Sequence, residues 1–161
     1  IMILLVISSR LLIALLPKVY YSIKAEIAKN FMAQATKVLI VDDSKDFQEV
    51  LAIKFKAAGF EVATADDGED GIAKAKEFLP AIIMMDVKMP KLDGVAAMLK
   101  LREDASTRNI KIILLTAYGD PQPDVYRNDQ RFAQELGAHE YLLKSQDLDE
   151  IIQKTKEFLA R

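Results

Sequence analysis

Three carboxylates, one hydroxyl and one ammonium occupy telling places in this chain. Asp42 and Asp43 follow the apolar run 38–41, Asp86 follows 81–85, Thr116 follows 110–115 and Lys144 follows 139–143. Carboxylates gathered at one place raise one another's pKa unless a cation sits between them. Helix capping is the plain alternative: Asp43 or Ser44 could cap the next helix, where an acid also suits the helix dipole. Capping accounts for a single acid. It does not account for three acids, a hydroxyl and a lysine shared among four strand ends. Mg2+ accounts for the acids, because it takes hard oxygen ligands, keeps several waters and commonly shares its shell with a phosphate. A carboxylate oxygen can attack phosphorus to form an acyl phosphate. A metal and an ammonium offset the charge on the transferring group, and a hydroxyl donates a hydrogen bond to it. The candidate catalytic set is therefore Asp86, Thr116 and Lys144. One of the carboxylates is the candidate nucleophile, and Asp42, Asp43 and Asp86 are the candidate metal ligands.

The elements that must position these groups are legible in the periodicity. The unbroken run 38–41 has the pattern of a parallel strand buried on both faces. Phe47, Val50, Leu51, Phe55 and Ala58 share one face of a helix that Gly59 stops. A second strand is predicted over 60–65, then a turn at Asp66-Asp67-Gly68. Ile72, Ala75 and Leu79 mark the next helix, ended by Pro80. Further strands are predicted over 81–85, 110–115 and 139–143, with helices over 94–103 and about 124–136 between them. Gly137 closes the second of these. Leu148, Ile151, Ile152, Thr155, Phe158 and Leu159 form the inner face of a last helix. Five strands alternating with five helices predict an α/β fold: a doubly wound, five-stranded parallel sheet with helices on both faces. In such sheets ligands bind beyond the carboxyl ends of the strands, which is where the polar residues fall.

Composition narrows the chemistry further. The chain has 161 residues, enough for one domain with a substantial core. It is 51% hydrophobic and 29% charged with a net charge of -2, so no basic excess points to a nucleic-acid partner. The absence of cysteine excludes disulfides, thiolate catalysis and cysteine-bound metals. The single histidine, His139, argues against a histidine-rich zinc site and reads as a surface residue at a strand start. Any metal is then held by oxygen. Lys154, Lys156 and Glu157 read as the solvated face of the last helix.

Residues 1–34 form an apolar N-terminal extension ahead of a globular domain over 35–161. Three readings of the extension stand side by side. The run 1–16 could be a membrane anchor, although it is shorter than the ~20 residues a span needs. Arg10 within it would cost about 2.5–3.5 kcal/mol on insertion scales. Lys18, Lys24 and Lys29 would then place the globular domain at the cytoplasmic face. A secretory signal lacks its basic start. The third reading is a non-native leader before a true start at Met32. The domain itself is expected in the cytoplasm, with a membrane partner only if residues 1–31 are a retained anchor.

Residues 37–160 resemble a response-regulator receiver domain, the module of two-component signalling and bacterial chemotaxis. Asp42-Asp43 is similar to the family's acidic pair. Asp86 with Val87-Lys88-Met89-Pro90 and Asp93-Gly94 is similar to its phosphoacceptor and loop. Thr116-Ala117 is similar to its switch hydroxyl and small neighbour, and Tyr141, three before Lys144, to its switch aromatic. The intervals from Asp43 to Asp86 and from Asp86 to Thr116 also match. The resemblance implies a flavodoxin-like receiver fold and a phosphorelay response regulator. A sensor histidine kinase would supply the phosphoryl group to Asp86, with Mg2+ held by Asp42, Asp43, Asp86 and the backbone carbonyl of Lys88. Thr116 and Tyr141 would then move as a switch. The output would be a downstream protein or a histidine phosphotransfer protein, and the switched face can also pair as a homodimer. The resemblance implies no separate enzyme activity beyond slow loss of the protein's own phosphoryl group. Nothing follows the last helix but Arg161, so a stand-alone receiver is expected.

The chain departs from the family pattern twice. Lys144 is followed by Ser145, where proline is usual, so the loop after Lys144 is expected to differ. The interval from Thr116 to Lys144 is longer than usual, with the excess in 118–130, on the signalling face. Those departures keep a rival in play, a receiver-fold scaffold that works without phosphorylation. A second rival is a Mg2+ phosphohydrolase with an aspartyl nucleophile. It wants an acid two residues after that nucleophile, and Lys88 stands there.

Overall fold

A computed structural model describes residues 20, 21, 35–117, 131, 134, 135 and 137–161. The chain divides into two compact units, residues 1–35 and 36–161. In the first, Tyr20 and Tyr21 are helical, with rings edge to face at 5.6 Å. Among the described residues no helix is long and apolar enough to cross a membrane.

The second unit is built on five parallel strands: β1 (Lys37–Val41), β2 (Glu61–Ala65), β3 (Ile82–Asp86), β4 (Lys111–Thr116) and β5 (Glu140–Leu143). Four described helices join them: α1 (Lys45–Ala57), α2 (Gly68–Phe78), α3 (Gly94–Glu103) and α4 (Leu148–Leu159). The helix expected over about 124–136 falls almost wholly outside the described residues. The strand order is β2-β1-β3-β4-β5. The chain thus turns back between β1 and β3, and a crevice opens there at the carboxyl ends of the strands.

Alternation along the strands divides the core in two. Leu39, Val41, Ile83, Met85, Ile112, Leu114 and Tyr141 face α2 and α3, where Ala75, Ala97, Met98 and Leu101 meet them. Val38, Ile40, Ile82, Met84, Ile113, Leu115 and Leu142 face α1 and α4, against Leu51, Phe55, Ile151 and Ile152. β3 is buried along its whole length, as its unbroken apolar run requires.

Each described helix opens on a side-chain cap: Ser44, Asp67, Asp93 and Asp147 accept from the first-turn amides. Each such cap is worth about 1 kcal/mol and fixes where the helix begins. At α1 it is Ser44, not Asp43, that caps, which leaves the Asp43 carboxylate exposed and uncommitted. Leu79 does not belong to the buried face expected of it. It is 57% exposed and ends α2 in a left-handed conformation with φ 50. The strand starts lie one residue later than read for β2, β3, β4 and β5.

Candidate functional site

β1 delivers Asp42 one residue past its end, where its amide still donates to Ala65 O at 3.0 Å. β3 ends on Asp86, β4 ends on Thr116, and Lys144 follows β5 with its amide donating to Thr116 O at 2.8 Å. Asp42, Asp86 and Thr116 are buried. Asp43 is exposed beside them. Carboxylate oxygens of Asp42, Asp43 and Asp86 lie within 4.8 Å of one another. The Lys144 ammonium sits 2.6 Å from Asp42 Oδ2 and 3.0 Å from Asp86 Oδ2.

Among the described residues, three carboxylates face one ammonium, which leaves the cluster short of positive charge. Burial pushes the Asp86 carboxyl above the usual carboxylate range. The Lys144 ammonium opposes this, and the charges of Asp42 and Asp43 push it up again. Two contacts hold Asp42 in place: its Oδ1 accepts from Ser44 N–H at 2.9 Å, and its carbonyl accepts from the Gln48 amide. Asp42 Oδ2 is buried and meets Lys144 but takes no contact of hydrogen-bond geometry. Clustered carboxylates that share a single ammonium, in an all-oxygen donor set, fit a hard divalent cation.

The loop over 87–93 is pinned from both sides. Gly94 N–H donates to Val87 O at 3.0 Å, and a Cβ on Gly94 would fall 2.0 Å from Asp86 O. Only glycine allows α3 to start that close to Asp86. On the other side Gly68 N–H donates to Leu92 O at 3.1 Å. Lys88 is exposed in this loop. Tyr141 lies in β5 opposite Leu114, buried in the core on the α2–α3 face.

Gln48 was invisible to sequence reasoning. Its buried amide donates to Ala65 O at 2.7 Å and Asp66 Oδ1 at 3.1 Å as well as to Asp42 O, so it ties the ends of β1 and β2 together. A glutamine between apolar helix positions carries no chemical signature until its partners are known. His139 is half-buried rather than on the surface as expected: its Nδ1 accepts from Ile112 N–H at 3.1 Å and lies 3.3 Å from the Arg102 guanidinium. That cluster is at the opposite, amino end of the strands.

Residues 38–156 match the sequence profile of the response regulator receiver domain. The chain belongs to that family. The chain is 34% identical, over 78% of its own length, to the DNA-binding dual master transcriptional regulator RpaA of Synechocystis. It is 37% identical over 70% to response regulator PleD of Caulobacter vibrioides. It spans about half of RpaA (49%) and 24% of PleD. Among solved structures, a response regulator from Chloroflexus aurantiacus is 31% identical with a TM-score of 0.70, covering 79% of this chain and 99% of that one. TrrA of Thermotoga maritima, solved in complex with Mg2+ and BeF, is 31% identical with a TM-score of 0.64, covering 76% and 97%. The receiver is thus a phosphorelay response-regulator module, a family whose members are generally not enzymes in their own right.

Proposed function

We propose that this receiver accepts a phosphoryl group on Asp86 from the phosphohistidine of a sensor histidine kinase. The observation that carries the reading is the Lys144 ammonium shared between Asp42 and Asp86, with three carboxylates inside 4.8 Å. An Asp86 carboxylate oxygen attacks phosphorus, the phosphorus–nitrogen bond breaks, and the histidine leaves with its electron pair. Lys144 neutralises one phosphoryl oxygen and the Thr116 hydroxyl donates to another. Asp42, Asp43, Asp86 and the Lys88 carbonyl would hold Mg2+, which supplies charge neutralisation when bound. Attack by water on the acyl phosphate later returns Asp86 and inorganic phosphate.

The switch reading rests on the same residues. Thr116 closes β4 and Tyr141 lies one strand over in β5, in register with Leu114. A shift of Thr116 toward the phosphoryl group therefore reaches Tyr141 through paired strands. The output goes to a partner protein or to a histidine phosphotransfer protein. We place the receiver at residues 35–161 and working in the cytoplasm. TrrA, solved with Mg2+ and BeF, supports the metal assignment by similarity.

The test is to incubate the full chain with a small acyl-phosphate donor, with and without Mg2+, and weigh the intact protein. The expected outcome is a Mg2+-dependent gain of one phosphoryl group that Asp86→Asn abolishes. No gain in folded protein under any condition sinks the reading in favour of the phosphorylation-independent scaffold.

A further inference from the structure

Phe47 sits on the first turn of α1, packed at the rim of the α1–α4 core face. Its periodicity marks it as core, and core packing alone explains any large apolar residue there. The structure adds a second contact. The Lys144 ammonium lies 5.0 Å from the centroid of the Phe47 ring. That is inside the roughly 6 Å range in which a cation is drawn to the negative face of an aromatic ring. The lysine side chain is only 13% exposed, so water screens this attraction little.

The contact completes a closed circuit. Asp42 Oδ1 accepts from Ser44 N–H, and Ser44 Oγ in turn accepts from Phe47 N–H at 3.4 Å. The Phe47 ring meets the Lys144 ammonium, and that ammonium returns to Asp42 Oδ2 at 2.6 Å. The cap that starts α1 thereby also sets the ring under the lysine. We propose that Phe47 is a positioning residue of the phosphoacceptor site, its ring face holding the Lys144 ammonium between Asp42 and Asp86. A lysine side chain is long and rich in rotamers, so a third fixed contact narrows where its charge sits. A leucine would fill the same space without offering a π face.

The functional half of this inference rests on Asp86 being the phosphoacceptor, so the experiment reads two quantities on the full chain. The first is the NMR shift of the Lys144 side-chain methylene next to nitrogen. The second is the rate of Mg2+-dependent phosphoryl uptake from an acyl-phosphate donor. In the unsubstituted protein the Lys144 signal is expected upfield of the other lysines, displaced by the ring current. Phe47→Leu is expected to lose that shift and to slow uptake about tenfold, the scale of a partly desolvated cation–π contact. Phe47→Tyr keeps the π face and is expected to retain both. Replacing Phe47 by phenylalanines of increasing ring fluorination preserves packing while draining the ring face of negative charge. The uptake rate is expected to fall stepwise along that series.

A Lys144 signal at the ordinary lysine position overturns the proposal. So does a fluorination series with a flat rate, which would assign Phe47 to packing alone. A displaced Lys144 signal that vanishes in Phe47→Leu, in a chain that never takes up a phosphoryl group, supports the ring contact while overturning the phosphoacceptor reading.

Discussion

At the amino end of the strands, the Arg102 guanidinium donates to Arg108 O and Ile110 O, each at 2.8 Å, and to Gly137 O at 3.0 Å. At the carboxyl end, the Lys144 ammonium faces two buried carboxylates, with a third nearby and a buried Asp42 oxygen left without a hydrogen bond. Both clusters place a cation among groups brought together from separate segments of the chain. The first is closed: one positive charge meets neutral carbonyls that have no other claim on it. The second is open, because its negative charges outnumber the cation within reach. Closed clusters serve the fold, since every buried polar group finds a partner. Open ones store a demand that an incoming ion or phosphoryl group can meet.

Breaking the closed cluster is expected to have the largest effect on stability. Arg102→Ala takes the guanidinium donor from three carbonyls and is expected to cost about 2–3 kcal/mol. Urea unfolding measures the loss, and phosphoryl uptake by the folded fraction is expected to stay unchanged. An equal loss of uptake would show that the two ends are not separable.

The open cluster is expected to respond with the opposite sign. Asp86→Asn removes one of the crowded negative charges, so without Mg2+ its thermal midpoint is expected to rise by about 2–5 °C. With saturating Mg2+ the unsubstituted chain is expected to gain and the variant to gain less, because it has lost a ligand. A midpoint lowered by the substitution in Mg2+-free buffer would mean that Lys144 already satisfies the site.

The smallest effect sharpens the comparison through pH. Burial, together with the Arg102 and Lys111 charges, holds His139 below its usual pKa. Its Nδ1 must stay unprotonated to accept that amide. The neutral ring is favoured in the folded state, so its stability contribution is fully present above the unfolded value of about 6.5. It is lost as pH falls from there through the lowered folded value. His139→Asn keeps an acceptor near Nδ1 and does not titrate there. Urea midpoints measured on both sides of that window are expected to slope less in the variant, and an unchanged slope would assign the pH dependence elsewhere.

Much of the fold and the site is legible in the residues alone. The runs before Asp42, Asp86 and Thr116 announce buried strands because parallel strands covered on both faces cannot alternate. The polar residue after each run marks one edge of the sheet. Helix bounds are readable to within a few residues from Ser44, Gly59, Asp67 and Pro80. What escapes is context. Gln48 looks like any helix glutamine, Arg102 like any exposed cation and His139 like any surface residue at a strand start. Their partners Ala65, Gly137 and Ile112 come from other elements, and no local pattern encodes such meetings.

The chain alone therefore determined which segments are strands and helices, and which residues stand at the strand ends. Periodicity and capping act over a few neighbouring residues and leave their mark in order along the sequence. Tertiary structure decided the strand order β2-β1-β3-β4-β5, and with it the meeting of Asp42, Asp86, Lys144 and Phe47. Those contacts join residues far apart along the chain, and they exist only once the crossovers have set β1 beside β3 and carried β5 to the far edge.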